Sequence, residues 1–329
     1  MSSNQWQGRY RPGLALSWQG RSDDTPNSTR YHEAVHCLDL RKGLDIDRQR
    51  PHFGFVGMES DVGITRNQGR AGAVQGPRYL RNALAKFPLG PTCDTVLCDI
   101  GDVTCEDGEL ESTQVAMAEL VEILVGGGIH PILLGGGHEI AWAHYQGLTR
   151  AYPEKAVSVI NFDAHFDLRT VLEGGFGTSG SPFSQIATWC QQENKPFDYT
   201  CLGIQQLGNT PALFDEARRL NTRWVEAETI HLEGVARQIA MLDDVLKSSE
   251  AVMLSLCLDV FSSAFAPGVS APGPLGLTPW QVIPLVRHLA ASDKVLGLHI
   301  AELSPPLDID GRTANLAASI AATYVQVKC

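Results

Sequence analysis

The sequence predicts a three-layer α/β/α fold with a mostly parallel central sheet, in a single domain, and three observations lead to it. Short apolar runs rich in branched residues, such as Val157-Ser158-Val159-Ile160 and Val252-Met253-Leu254-Ser255-Leu256, read as internal strands. Amphipathic helix-length stretches alternate with them, the rhythm of βαβ units in a parallel sheet. Carboxylates, histidines and one cysteine recur just after the strands, at the edge where open α/β sheets bind ligands.

Length and charge narrow the class. A chain of 329 residues can form one large α/β domain or two small ones. Glycines and prolines are dispersed and no low-complexity block intervenes, so we expect an N-terminal arm over 1–50 packed on one catalytic domain over 51–329. A formal net charge of −11 argues against nucleic acid or an anionic membrane as partner. No apolar run is long enough to cross a bilayer, and Met1-Ser2-Ser3-Asn4-Gln5-Trp6 has neither a basic nor an apolar leader segment, so a cytoplasmic location is expected. The eight cysteines show no C-x-x-C spacing, which suggests neither a zinc ribbon nor a disulfide framework.

The arm mixes Trp, Arg, Asp and Pro without sustained periodicity. His32 and His36 are spaced to share a helix face, but no third ligand lies nearby. Phe53-Gly54-Phe55-Val56-Gly57-Met58 reads as the first strand and delivers Glu59 and Asp61 at its end. Arg66-Asn67-Gln68-Gly69-Arg70 follows as a glycine-punctuated loop, either a ligand-binding loop or a solvated one, and Gly76-Pro77 opens a helix through Leu84. A strand over 95–100, a helix over 112–127 and a strand over 131–134 come next. The last of these runs into Gly135-Gly136-Gly137-His138-Glu139, where three glycines allow a sharp turn with close backbone approach before a helix over 139–150. His138, at the head of that helix, suits a metal ligand or a capping role, and G-x-G-x-x-G is absent.

The centre of the chain is Asn161-Phe162-Asp163-Ala164-His165-Phe166-Asp167-Leu168-Arg169. If the strand continues through it, the period of two puts Asp163, His165 and Asp167 on one face within about 7 Å of one another. Two carboxylates and an imidazole so placed invite a cation between them, with a solvated strand end as the plain alternative. The stretch 173–183 is too glycine-rich for regular structure and reads as a loop over the site. A strand over 200–204, a helix over 210–220, a strand over 252–260, a helix over 278–291, a strand over 295–300 and a helix over 312–326 complete the series. On the strand over 252–260, Cys257 and Asp259 face the same way, and Glu302 follows the last strand.

Taken together, G-G-G-H-E at 135–139, D-A-H-F-D at 163–167 and S-x-C-x-D at 255–259 followed by A-P-G at 266–268 resemble the metal-binding signatures of the ureohydrolase family, which includes arginase and agmatinase. Within it, the chain is most similar to the formimidoylglutamase branch, through R-N-Q-G-R-A-G-A at 66–73, D-A-H-F-D-L-R at 163–169, S-G-S-P-F at 179–183, A-P-G-V-S-A-P at 266–272 and E-L-S-P-P-L-D-I-D at 302–310. The resemblance implies hydrolysis of N-formimidoyl-L-glutamate to L-glutamate and formamide by a hydroxide formed on two manganese ions, in a homo-oligomer. It implies metal ligation by His138, Asp163, His165, Asp167 and Asp259, with Asp163 bridging the ions, and a substrate-holding role for Glu302. For the substrate's two carboxylates, Arg66, Asn67, Arg70 and Arg169 are the groups available on strand-end loops, and Asn67, Arg70 and Arg169 are the ones expected to bind them.

Two departures from the family's pattern stand out. Position 257 is cysteine where a second bridging carboxylate is usual. A thiolate keeps the charge but is soft, so we expect Cys257 to face the metals and to weaken one position for manganese. The 173–183 loop carries Ser179-Gly180-Ser181 where arginase-like and agmatinase-like members have a histidine, which speaks against arginase proper. Another guanidino or amidino hydrolase, of agmatinase or guanidinobutyrase type, and a non-catalytic metal-poor member are the alternatives.

Overall fold

The computed structural model describes residues 5–44, 50–90 and 95–328. Residues 1–4 and 45–49 of the expected arm, together with Cys93 and Cys329, lie outside the described residues. In chain order the first half runs β1 (Tyr10–Arg11), α1 (Tyr31–Ala34), β2 (Val35–Cys37), β3 (His52–Glu59), α2 (Val62–Arg66), α3 (Gly76–Leu84), β4 (Val96–Thr104), α4 (Leu110–Gly126), β5 (Ile129–Leu134), α5 (Ile140–Ala151) and β6 (Val157–Phe162). The second half continues with α6 (Pro182–Gln192), β7 (Tyr199–Ile204), α7 (Pro211–Arg219), β8 (Arg223–Glu226), α8 (Ala227–Glu233), α9 (Val235–Ser248), β9 (Ala251–Cys257), α10 (Pro279–Ala290), β10 (Val295–Ala301) and α11 (Arg312–Lys328).

The ten strands form one sheet in the order β1-β4-β3-β5-β10-β9-β6-β7-β8, with β2 also pairing β4. Every pairing is parallel except that of β1 with β4. Alternation along each strand divides the core. Ile160, Phe162, Leu254 and Leu256 face one cluster with α3 and α8 to α11, while Val157, Val159, Ala251 and Met253 face the other with α4 to α7. Both faces are therefore covered, which is why the central strands read as continuous apolar runs.

The expected elements are present, with differences that have physical causes. The arm joins the sheet, since β1 and β2 add to the outer edge of β4, and Trp18 Nε1 donates to Asp99 Oδ2 at 2.8 Å. His32 and His36 do not share a helix face, because α1 stops at Ala34 and His36 lies on β2. The helices α6, α8 and α9 and the strand β8 had no counterpart in the sequence reading. Among the described residues the cysteines are free, and four of them (Cys98, Cys190, Cys201, Cys257) are buried.

Candidate metal centre

The centre is assembled from turns at the C-terminal ends of β5, β6, β9 and β10. After β5, a Cβ on Gly136 would stand 1.7 Å from the carbonyl oxygen of Ser60, so only glycine fits where the turn presses on the neighbouring loop. That turn delivers His138, which is buried. Glu139 points back instead, and its Oε1 accepts from the Gly63 N–H at 3.0 Å and the Ser60 hydroxyl at 3.2 Å. Burial pushes the Glu139 carboxyl up to about 7.

The extended reading of Asp163 to Asp167 does not hold. Strand β6 stops at Phe162, and Asp167 adopts a left-handed backbone with φ of 49°. The apolar pull of the core still sorts the segment, because Ala164 is buried and Phe166 and Leu168 are buried in the hydrophobic core. Convergence of Asp163, His165 and Asp167 thus comes from a tight bend. A similar departure follows β9, which ends at Cys257; Asp259 sits on a single 3₁₀ turn, Leu258–Val260. Glu302, just past β10, is also left-handed, with φ of 73°. Non-glycine residues held in this region store strain of about 1 kcal/mol or more and cluster at functional sites.

These turns bring the side chains within bonding range. His138 Nδ1 lies 3.0 Å from Asp163 Oδ2 and 2.8 Å from Asp167 Oδ2. His165 Nδ1 lies 3.1 Å from Asp259 Oδ2 and 3.5 Å from Asp163 Oδ1. Two candidate ligand groups result, one of His138, Asp163 and Cys257 and one of Asp163, His165 and Asp259, each with donor atoms within 4.8 Å of one another. Asp163 belongs to both.

Electrostatics in the cluster call for positive charge. Burial, reinforced by Asp163, raises the carboxyl of Asp259 and takes that of Asp167 up to about 6. Burial and the neighbouring carboxylates push the Cys257 thiol and the Glu302 carboxyl well up. His138 and His165 rise despite burial because carboxylates face them, and Asp163 is held low despite burial by its bonds to both histidines. Among the described residues, these two histidines are the sole ion-pair partners of Asp163, Asp167 and Asp259. Asp259 Oδ1 is buried without any hydrogen-bond partner. Hard oxygen donors with two imidazoles, one thiol and an orphaned carboxylate oxygen fit a pair of divalent cations.

Above the cluster opens a cavity of about 310 Å³, lined in part by His138, His165, Asp167, Cys257, Asp259 and Glu302. Asn67, Arg70 and Arg169 line it too, so each sequence-predicted substrate residue reaches the cavity. Glu302 Oε1 accepts from the His138 N–H at 3.0 Å. Arg70 is partly spent: its Nε and Nη2 donate to the carbonyls of Ser270 and Val269 at 2.9 and 2.7 Å. Arg169 has no side-chain hydrogen bond or ion pair among the described residues. Arg66 is turned away, its guanidinium bonded to Glu111 at 2.6 Å and to the Gly177 carbonyl at 3.1 Å. Asp61 follows β3 as expected, but its Oδ2 accepts from the Gly72 N–H at 2.8 Å and it lies off the cavity wall. Ser179, from the loop that lacks the histidine, and Ser270 also line the wall; Ser270 was not expected there, and its proline- and glycine-rich context was the available signal.

Comparison with known proteins identifies the family. The sequence profile of the arginase family matches residues 51–326. The chain is 48% identical over 313 residues to a formimidoylglutamase of Legionella pneumophila, covering 95% of this chain and 96% of that one. It is 42% identical over 317 residues to a formimidoylglutamase of Ralstonia nicotianae, with 94% of each covered. In fold, it is similar to the crystal structure of formimidoylglutamase from Bacillus subtilis, with a TM-score of 0.79 at 23% identity over 93% of this chain and 94% of that one. Trypanosoma cruzi formiminoglutamase with Mn2+2 gives a TM-score of 0.76 at 24% identity, over 87% and 95%. With most of its length matched by the family profile and close relatives over nearly all of it, the chain belongs to the arginase family.

Proposed function

We propose that this chain hydrolyses N-formimidoyl-L-glutamate to L-glutamate and formamide at a two-manganese centre. The observation that carries the reading is the pair of ligand groups sharing Asp163 beneath a cavity whose wall offers Arg169, a guanidinium without a partner among the described residues. His138, Asp163, Asp167 and Cys257 would hold one ion, and Asp163, His165 and Asp259 the other. When bound, the ions would activate water near neutral pH and offset the charge that develops as it attacks.

The remaining roles belong to the chain's own residues. Glu302 is buried at the cavity floor with Oε1 tied to His138, which leaves Oε2 to hold the planar amidinium of the substrate. Burial and the neighbouring carboxylates push the Glu302 carboxyl up, and an entering cation would act in the opposite direction. Arg169 and Asn67, with the free Nη1 of Arg70, would take the two carboxylates of the glutamate half. An agmatine-like substrate would instead need a carboxylate for its cationic tail. Above the ligand cluster this wall carries guanidiniums, amides and hydroxyls. With the reading go a cytoplasmic location and a homo-oligomer, which fractionation and sedimentation would test.

The direct experiment measures formamide released from N-formimidoyl-L-glutamate by manganese-loaded protein, with agmatine, arginine and guanidinobutyrate as urea-releasing controls. Formamide with inert controls is expected. Silence on all four, with manganese bound, would overturn the substrate assignment.

A further inference from the structure

Beneath the ligands lies a row of polar side chains. Asn161 on β6 is in register with Cys201 on β7 and with Ser255 on β9, and Ser255 is in register with His299 on β10. Aligned residues of neighbouring strands project from the same face, so three polar groups and one thiol cross four adjacent strands on the side covered by α4 to α7. All four are 0% exposed. Asp163 and Cys257 follow Asn161 and Ser255 by two residues, so the row sits one pleat below the metal centre. Polar groups in the middle of buried strands are costly unless bonded, which makes their bonds informative.

Those bonds have a forced direction. A carboxylate that ligates a cation only accepts, so on the two-ion reading the Asn161 atom that meets Asp163 Oδ2 at 3.2 Å is the amide nitrogen Nδ2. The other Nδ2 hydrogen goes to the Tyr199 hydroxyl at 3.0 Å, and that hydroxyl donates to the Phe166 carbonyl at 3.0 Å. Asn161 Oδ1 is therefore turned to Ser255, whose hydroxyl donates to it at 2.6 Å. Having given its single hydrogen, Ser255 Oγ can only accept from His138 Nε2, 2.9 Å away. His138 thus keeps a hydrogen on Nε2. Its Nδ1, the nitrogen facing Asp163 and Asp167, is the one left to present a lone pair to a cation.

We propose that Asn161 and Ser255 are positioning residues of the metal centre, which relay the polarity of the shared ligand Asp163 to His138 and so hold Nδ1 as the ligating nitrogen. The inference rests on the two-ion reading above and adds to it a coupling between the two ligand groups. Neither residue lines the cavity itself. The two act unequally: Ser255 bonds to His138 alone among the ligands, whereas Asn161 bonds to Asp163 directly and reaches His138 through Ser255.

The test is manganese binding by equilibrium dialysis, with electron paramagnetic resonance to separate a spin-coupled pair from isolated ions. Ser255→Ala is expected to weaken one ion by about tenfold or more and to leave the other, the size of effect usual for the loss of a partner behind a ligating histidine. At limiting manganese, the signal of the coupled pair should give way to that of single ions. Asn161→Leu should weaken both ions, and Ser255→Thr, which keeps the hydroxyl, should restore the pair. Melting of the chelated variants checks that each is folded. Should Ser255→Ala fail to fold, Tyr199→Phe releases the Asn161 amide while leaving both ligands their direct partners, and a severalfold loss on both ions is expected. Folded Ser255→Ala, or in its place Tyr199→Phe, that binds two ions as tightly as the parent would overturn the proposal. A parent protein that binds no manganese would instead overturn the two-ion reading.

Discussion

Arg169 and Cys257 show how much single residues decide here. Arg169 stands where the cavity of about 310 Å³ meets an outer one of about 600 Å³, and its guanidinium has no partner among the described residues. A Cβ on Gly180 would come within 2.8 Å of its Cδ, so this glycine leaves room for the arginine to lie across the loop. Arg169→Ala should raise KM for N-formimidoyl-L-glutamate more than tenfold with a smaller effect on kcat, as expected for a lost charge-assisted pair of roughly 1.5–3 kcal/mol. Steady-state kinetics with an unchanged KM would reject the role. Cys257 offers sulfur where manganese favours oxygen. Cys257→Asp should therefore bind manganese more tightly at one position, and unchanged affinity, stoichiometry and rate would exclude the weak-ligand reading.

At the scale of the element, strand ends set the chemistry by what they bury. Glu59 ends β3, where burial and the nearby charge of Asp102 push its carboxyl from 4.5 up to about 6. The folded state thus holds this proton more tightly than the unfolded chain, so stability falls as pH rises from 4.5 through about 6 and stays lower above. Glu59→Gln should raise stability by on the order of 1 kcal/mol at about pH 8, discounted for the solvent that still reaches the group, and change little at about pH 4. Urea titrations at both pH values check this, and equal stabilisation at both would contradict it. Strand ends also limit inference from periodicity, because the period of two that describes β6 and β9 stops at Phe162 and Cys257, before most of the ligands.

For the whole molecule, the strand order places β5, β10, β9 and β6 side by side, and these four supply the metal centre and Glu302. Carboxylates from distant parts of the chain are forced together at one edge, and bound cations would relieve their mutual repulsion. Chelation of the manganese-loaded protein should accordingly lower Tm, by on the order of 5 °C if the ions are bound about a thousandfold above their Kd. A calorimetric scan with and without chelator reads this directly, and identical melting would show that the ions add no stability. We propose the arm over 1–50 as a part distinct from the catalytic domain over 51–329, although β1 and β2 lie on the same sheet.

Local patterns in the sequence carry the sheet-and-helix rhythm and the strands whose ends gather at the candidate centre, because buried strands and glycine turns leave their mark on composition. His138, Asp163, His165, Asp167, Asp259 and Glu302 each lie a few residues beyond an apolar run, and Cys257 closes one, which made these positions legible. Tertiary structure alone decided what depends on packing between distant segments. It turned Arg66 and Asp61 away, committed most of Arg70 to the 269–270 carbonyls and left Arg169 unpartnered. It also joined Asn161 to Ser255, two polar residues inside apolar strands whose purpose no single strand reveals. Their meaning lies in strand register, a relation between segments 94 residues apart that a local pattern cannot encode.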